Sequence, residues 1–488
     1  MTMTVRQSVA ILASSVLAGD AVSRHIVDIA QSLMRAGYPV QVCYSGVYTR
    51  EEPDIRAISV RVVPGDPLPQ ADLYLVEYAS WFPLAEHLRS YPARSIFWYH
   101  GVTPTEFWES DADRRHQERA VLGIGLAHYA DAVVACSPFG AAELSDHERD
   151  LTGRVRVIAN AVDYQSFSER PSEHDLEDLR TQLGATNRRV LLSVGRLAAN
   201  KRLDLLVSAL ARLTARHKDI LLLVIGDDRS APAYVAYAEE IRAQVRELHL
   251  EDHVRFLGKV PRVEPYYHLA DVLVLTSEHE GFGLPLIEAM AAGVPAVASD
   301  AGAMPWVIGA DTESPAGLLF ERGSEESLAR AIDSILTDPR LASELRRIGR
   351  ERVGRYGLQA FGDATVGLVR EVLAMGPILR RPSRPPEQVF SRADVSLREY
   401  RVRSRVPLIG PFIAWLRVQL TSHIKEPYLD SIVERQVLYN MSMTKRLLRL
   451  EEAISSQAEE LARFQEEIER PSRRSVDAAE PPSGAGEA

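Results

Sequence analysis

The chain has only two cysteines among 488 residues, Cys43 and Cys136. Each lies among apolar neighbours and together they fit no metal-ligand spacing, so no disulfide framework or cysteine metal site is expected. Two buried thiols in a reducing compartment are the simpler reading. No run of about 20 apolar residues occurs, which removes any expectation of a transmembrane helix. A cationic excess is also missing: 57 Lys and Arg stand against 67 Asp and Glu, for a formal net charge of -10. That balance argues against general nucleic-acid binding. The apolar run from Val9 to Ala18 behind Arg6 superficially resembles a secretory segment. A helical pattern (Val22, Ile26, Ile29, Ala30, Leu33) follows it with no cleavage-like break, which favours a buried first strand ending at Gly19-Asp20. The expected location is the cytoplasm.

What is present is ordinary for a globular protein: 46% apolar and 25% charged residues, in a length suited to two or three domains. Short, continuously apolar runs at 8–15, 40–44, 60–63, 73–77, 95–99, 132–135 and 155–158 read as strands of a doubly covered parallel sheet. Helical patterns at 21–36 and 114–128 separate some of them, giving βαβ units. After a polar stretch at 166–187 the pattern restarts. Strands are predicted at 190–194, 220–225, 254–256, 272–276, 296–298 and 317–320, with helices at 204–213 and 234–247. Helical segments at 327–336, 341–353 and 360–373 close this part. The fold class is therefore α/β, with two successive Rossmann-like halves and a ligand cleft at the carboxyl ends of their strands.

Three segments carry the chemistry. The first runs from Ser277 to Glu288 and places Glu280 and Glu288 eight positions apart across Gly281-Phe282-Gly283. An apolar run precedes it and a helical stretch follows, so it reads as strand, glycine loop, helix start. Backbone N–H groups at a helix start favour an anion, and carboxylates beside it suit hydroxyl groups. A phosphate next to a sugar describes a nucleotide sugar. The second segment, Gly195-Arg196-Leu197 through Lys201, sets two cations in the loop after a strand, as a diphosphate would require. The third is the turn at Ala18-Gly19-Asp20, where Gly19 would let backbone approach a ligand. The two glutamates do not read as a glycosidase pair: such carboxyls flank one bond, whereas one of these sits in the loop and the other about a turn into the helix. Asp111-Ala112-Asp113 mimics an acidic metal motif, but its place ahead of a predicted helix makes N-terminal capping the better account, and no metal is expected.

These segments resemble family 4 of the retaining glycosyltransferases, which have the GT-B architecture. The resemblance rests on Gly195-Arg196-Leu197 with Lys201, on Glu280-Gly281-Phe282-Gly283-Leu284-Pro285, and on Glu288-Ala289-Met290-Ala291-Ala292-Gly293-Val294-Pro295. Ala135-Cys136-Ser137-Pro138 and Ile158-Ala159-Asn160-Ala161-Val162-Asp163 add to it, and it covers roughly residues 5 to 375. It implies an acceptor-side domain at 1–165, a nucleotide-sugar domain at 166–359, and a closing helix at 360–375 that packs back towards the first domain. It implies that Arg196 and Lys201 hold the donor diphosphate. Glu280 and the backbone of Phe282, Gly283 and Leu284 would contact sugar hydroxyls and phosphate, and Glu288 would bind the ribose. His100, in Trp98-Tyr99-His100-Gly101, falls where the family places a histidine near the donor sugar; its aromatic neighbours also fit a packed core histidine. Three positions depart from the pattern: Ala18 before Gly19, Ala161, and Trp306 where an acidic residue is frequent. The implied activity is retaining transfer from a UDP- or GDP-sugar to a glycan or lipid-linked acceptor in polysaccharide or glycoconjugate synthesis, with no cofactor. Epimerisation or hydrolysis of a nucleotide sugar, and a non-catalytic scaffold, are the alternatives.

Residues 376–390 are rich in Pro and Arg and read as a linker. A helical extension is expected at 391–470 and a disordered tail at 471–488. Within 392–417, arginines lead into an apolar segment containing Trp415, which fits either an interfacial helix on the cytoplasmic face of a membrane or an appendage packed on the protein. Leu447, Leu450, Ile454, Leu461, Phe464 and Ile468 follow a heptad pattern interrupted by Gln457, so 443–468 suits self-association through a coiled coil or a lone amphipathic helix.

Overall fold

The computed structural model describes residues 7–375, apart from 51–52, 64–65, 90–92 and 109, together with Gln436, Tyr439, Asn440 and Met443. The linker at 376–390, the membrane-directed segment at 392–417 and the tail at 471–488 lie outside the described residues, as does the heptad segment at 443–468 beyond Met443. Residues 7–375 belong to one compact unit.

This unit holds two parallel sheets. The first contains β1 (Val9–Ala13), β2 (Val40–Tyr44), β3 (Ser59–Arg61), β4 (Leu73–Tyr78), β5 (Arg94–Tyr99), β6 (Ala132–Ala135) and β7 (Val155–Val157). Their spatial order is β3-β2-β1-β4-β5-β6-β7. The second contains β8 (Arg189–Val194), β9 (Ile220–Ile225), β10 (Val254–Gly258), β11 (Val272–Leu275), β12 (Ala296–Ser299) and β13 (Gly317–Phe320), in the order β10-β9-β8-β11-β12-β13. Central strands are apolar throughout because helices cover both faces: every residue of β1 and of β9 is buried. Register follows from that pattern, with Val9 of β1 opposite Val40 of β2 and Leu73 of β4.

Local chemistry explains where the elements begin and end. Asp20 caps the helix Ala21–Arg35 by accepting from the Ser23 amide at 2.8 Å. The helix predicted at 114–128 instead spans Asp111–Gly123, because Ser110 caps it and draws Asp111 and Asp113 into its first turn; a 3-10 segment, Ile124–Tyr129, follows. β3 lies one residue earlier than expected because the helix Pro53–Ile58 runs directly into it. The helices Glu264–Leu269 and Met304–Ile308 were not expected: at one or two turns they are too short to show periodicity.

The helix Leu358–Ala374 lies against the helix Ala21–Arg35 and β5, far from its own sheet in sequence. Its Phe361, Leu368, Val369 and Val372 join the first sheet's core with Ile26, Ile29 and Leu33. At roughly 2 kcal/mol per buried side chain, as an upper bound, this seam binds the two lobes firmly. Among the described residues no helix is long and apolar enough to cross a membrane.

Candidate active site

In each sheet the chain reverses its direction of travel between two central strands: β1 and β4 in the first, β8 and β11 in the second. Loops after such a pair diverge to opposite faces and leave a crevice at the strands' carboxyl ends. The loops after β8 and β11 are the two charged segments that the sequence singles out. They are tied together: the Glu278 amide donates to Asn200 O at 2.9 Å, Thr276 Oγ1 donates to Lys201 O at 2.7 Å, and Asn200 Nδ2 donates to His279 O at 3.2 Å. Close packing extends to the β9 end, where a Cβ on Gly226 would stand 1.7 Å from Gly195 O, so no larger residue fits.

The fold brings Arg196, Lys201 and Glu280 together at this crevice. Lys201 Nζ donates to Glu280 Oε2 at 2.5 Å, with the two side chains 19% and 18% exposed. Burial works against an ionised Glu280, but Lys201, then His279 and Arg196, outweigh it and hold the carboxyl below its usual range. Arg196 donates to the Tyr234 hydroxyl at 2.8 Å, and its guanidinium stands 5.7 Å from that ring's centre. Arg202 binds Asp204 and Glu278, and Arg322 reaches Glu278 at 3.2 Å. Beyond Glu280, Gly283 adopts φ +95° and opens the helix Leu284–Ala292, whose N-terminus no side chain caps. The Leu284 amide is therefore free of an intrahelical partner and lies at the positive end of the helix dipole. Glu288 projects from this helix and accepts from the Tyr267 hydroxyl at 2.5 Å. Burial, with the charge of Glu264 adding to it, pushes the Glu288 carboxyl up to about 7 against the opposing pull of Tyr267.

Phe282 turns inward and packs with Trp306 and Tyr356 at ring separations of 5.9 to 6.2 Å. Trp306, at a position where an acid was expected, thus supports the glycine loop from behind. Ala161 is buried in the first lobe's core.

The first lobe meets the same loop edge-on. Ser137 Oγ donates to Gly281 O at 2.7 Å, and Cys136 Sγ lies 3.5 Å from that oxygen. His279 and Glu143 share a 2.9 Å contact, and Glu143 also accepts from Tyr99 at 2.7 Å. A Cβ on Gly281 would stand 2.5 Å from His100 O, so glycine alone permits this approach. His100 thus borders the crevice through its backbone. Its ring is only 4% exposed and turns to Glu77, whose Oε2 also meets His25, at 2.6 and 2.9 Å respectively. Burial disfavours a charged His100, but Glu77 and a hydrogen bond with Cys136 outweigh it and push the imidazole up. Burial outweighs Glu77 at His25, whose imidazole is pushed down. Gly19 stands apart: it has φ +71° and nothing lies within 4 Å of the space its Cβ would take.

His25, Glu77 and His100 are also the one cluster among the described residues with ligand-capable atoms close together, within 4.8 Å of one another. Ligands of one zinc-like ion at bonds of about 2.1 Å would stand about 3.3 Å apart. The 2.6 and 2.9 Å contacts are those of a hydrogen-bonded triad, and they do not fit a metal centre.

Glu77, His25, Tyr234, Tyr267, Glu143 and His279 escaped the sequence reading. One signal was present: Glu77 is a lone acid inside the apolar strand β4. His279 lies in the glycine-loop segment itself, but nothing there points to its partner Glu143, 136 positions away; the remaining residues carry no motif.

Two Rossmann-like lobes around a crevice, with a charged glycine loop at the second switch point, define the GT-B class. The chain belongs to the family 4 glycosyltransferases. The profile described as "Glycosyltransferase Family 4" matches residues 22–166, and "Glycosyl transferases group 1" matches 175–352. A lipopolysaccharide core biosynthesis mannosyltransferase of Rhizobium leguminosarum bv. viciae is 32% identical over 259 residues, covering 53% of this chain and 65% of that protein. A D-inositol 3-phosphate glycosyltransferase of Kineococcus radiotolerans is 31% identical over 256 residues, covering 50% and 58%. The matched regions thus span less than two thirds of these curated relatives. Among solved structures, an Anabaena protein in complex with UDP and glucose shares the fold with a TM-score of 0.62 at 19% identity, covering 75% of this chain and all of that one. Sucrose-phosphate synthase of Thermosynechococcus elongatus gives 0.63 at 23% identity, covering 76% of this chain and 100% of the other.

Proposed function

We propose that this protein transfers a sugar from a UDP- or GDP-sugar to a glycan or lipid-linked acceptor with retention at the anomeric carbon and no metal. The observation that carries this reading is the meeting of Arg196, Lys201 and Glu280 beside the uncapped Leu284 helix at the second switch point. The donor diphosphate would lie on Arg196, Lys201 and the Leu284 amide. Glu280 would then exchange its ammonium partner for sugar hydroxyls, and Glu288 would accept from the ribose.

In the reaction the bond between the anomeric carbon and the diphosphate oxygen breaks. The acceptor oxygen bonds to that carbon from the same face, and the acceptor's proton passes to the departing diphosphate. Negative charge grows on the diphosphate, where fixed cations and a helix N-terminus stabilise it by several kcal/mol. Contact between the lobes at Gly281 would exclude water and limit hydrolysis.

A donor panel tests the proposal: UDP- and GDP-sugars are incubated with and without candidate acceptors, and released nucleotide is measured. Acceptor-dependent release that falls on the order of a hundredfold or more in Arg196→Ala and Glu280→Ala is expected. Release independent of acceptor would identify a hydrolase. Absence of any thermal shift with UDP or GDP would refute the donor site.

A further inference from the structure

One side-chain contact between the lobes has no part in the proposed reaction. Glu143 stands on the helix Pro138–His147 of the first lobe, which Ser137 caps by accepting from the Gly140 amide at 3.0 Å. Ser137 Oγ also donates to Gly281 O, so the residue that starts this helix fixes it against the glycine loop. Further along the helix Glu143 reaches His279, and the two side chains are 13% and 10% exposed. Both carboxylate oxygens are engaged: Oε1 meets His279 Nε2 at 2.9 Å, and Oε2 accepts from the Tyr99 hydroxyl at 2.7 Å. Tyr99 in turn accepts from the Val102 amide at 3.1 Å. An ionised carboxylate only accepts, which makes His279 Nε2 the donor. Phe139, from the same helix as Glu143, packs edge-to-face on the His279 ring with centroids 5.6 Å apart.

His279 is a junction. Its carbonyl accepts from Asn200 Nδ2 at 3.2 Å, next in sequence to Lys201, and its own peptide bond leads into Glu280. On the far side Glu280 O accepts from the Ala303 amide at 2.9 Å, and a Cβ on Gly302 would stand 2.5 Å from that oxygen. Second-lobe backbone therefore holds Glu280 from one side, and the first lobe holds it from the other through the His279 side chain. The proposed diphosphate contacts, Arg196, Lys201 and the Leu284 amide, all belong to the second lobe.

We propose that Glu143 is a positioning residue for sugar transfer: by holding His279 against the first lobe it sets the neighbouring Glu280 at its place beside the sugar hydroxyls. The role rests on the transfer reading above, because the contact it governs is that of Glu280 with the donor sugar. Loss of the tie lets the loop shift relative to the first lobe, and a misplacement of about 1 Å at a reacting centre costs about a hundredfold in rate. Diphosphate binding, which the second lobe supplies alone, is left nearly intact.

The test compares full-length Glu143→Ala, His279→Ala and the double variant, with Glu143→Gln as the conservative change. The amide can place its oxygen on Tyr99 and its NH2 on His279 Nε2 once the imidazole takes its other tautomer. Turnover with donor and acceptor is measured beside UDP and GDP binding by calorimetry, and beside amide hydrogen exchange in the peptide spanning 277–283. Glu143→Ala is expected to lower kcat about tenfold to a hundredfold, to change nucleotide affinity by less than about twofold, and to speed exchange in the loop. Glu143→Gln recovers most of the lost kcat, and the double variant is no slower than the slower single one, as two partners of one contact require. Unchanged loop exchange in Glu143→Ala overturns the proposal whether or not the protein transfers sugar. A kcat within about twofold of the parent's overturns it too, as does a loss of nucleotide affinity equal to the loss of kcat, the mark of a merely structural residue. Faster loop exchange in a protein whose unaltered form shows no acceptor-dependent release keeps Glu143 as the residue that positions the loop and overturns the transfer reading instead.

Discussion

Replacing Glu288 with glutamine should stabilise the ligand-free protein in a pH-dependent way while weakening its grip on nucleotide. The fold raises this carboxyl from 4.5 to about 7, chiefly through burial. A raised carboxyl means that the folded state holds the proton more tightly than the unfolded chain. Stability is then fullest below the unfolded value of 4.5 and falls as pH rises through about 7. The full penalty at pH 8 is about 3 kcal/mol, an upper limit because the side chain is only partly buried. Glutamine has no proton to lose and can still accept from Tyr267, so its profile lacks this decline. The midpoint of thermal unfolding should be little changed at pH 5 and raised at pH 8, by up to about 6–12 °C at about 2–4 °C per kcal/mol. Calorimetry at both pH values reads this directly. With saturating UDP or GDP present the variant's advantage at pH 8 should shrink by about 1.4 kcal/mol: the amide offers one acceptor oxygen where the carboxylate offers two, so nucleotide binds about tenfold more weakly. An equal shift in midpoint at both pH values, or a less stable variant at pH 8, would refute the reasoning.

Three further outcomes follow from the same geometry. Glu77→Gln leaves the buried His100 imidazole without its compensating charge and should destabilise the first lobe by about 3–5 kcal/mol in chemical denaturation. Gly281→Ala puts a methyl where His100 O stands, 2.5 Å away, so it should hold the lobes apart; kcat should fall on the order of a hundredfold with little change in nucleotide affinity. Tyr234→Phe removes the hydroxyl that Arg196 contacts at 2.8 Å. Isothermal titration should show about two- to tenfold weaker nucleotide binding.

How legible this was in the sequence depended on distance along the chain. Strands β6 and β9 were readable to the residue, because a strand buried on both faces is a continuous apolar run; the partly buried β2 and β13 were also placed to the residue. The glycine loop and its glutamates were readable because strand, turn and helix start follow one another within twelve positions. Pairings across long separations were not. Lys201 and Glu280 lie 79 positions apart, and Glu77 and His25 lie 52 apart. Nothing in either local sequence states that one will face the other. His100 shows the same limit: its position predicted a residue beside the donor loop, but the direction of its ring depends on Glu77, a residue of another strand. Helix ends moved for a comparable reason, since a single cap such as Ser110 outweighs several residues of ambiguous propensity.

The Lys201–Glu280 pair refines the roles that the sequence suggests. Reading residues singly assigns the cation to phosphate and the acid to hydroxyls, as though each waited alone. In the folded protein each satisfies the other at 2.5 Å in a half-buried crevice. An isolated charge there would be costly, so the pair keeps the empty site stable. In the proposed binding mode a nucleotide sugar would part the two without leaving either unpaired, its diphosphate taking the lysine while its hydroxyls take the carboxylate. A free nucleotide supplies only the first half of that exchange, and a free sugar only the second. Discrimination between the whole donor and its fragments can therefore arise from the coupling of the two side chains rather than from additional contacts.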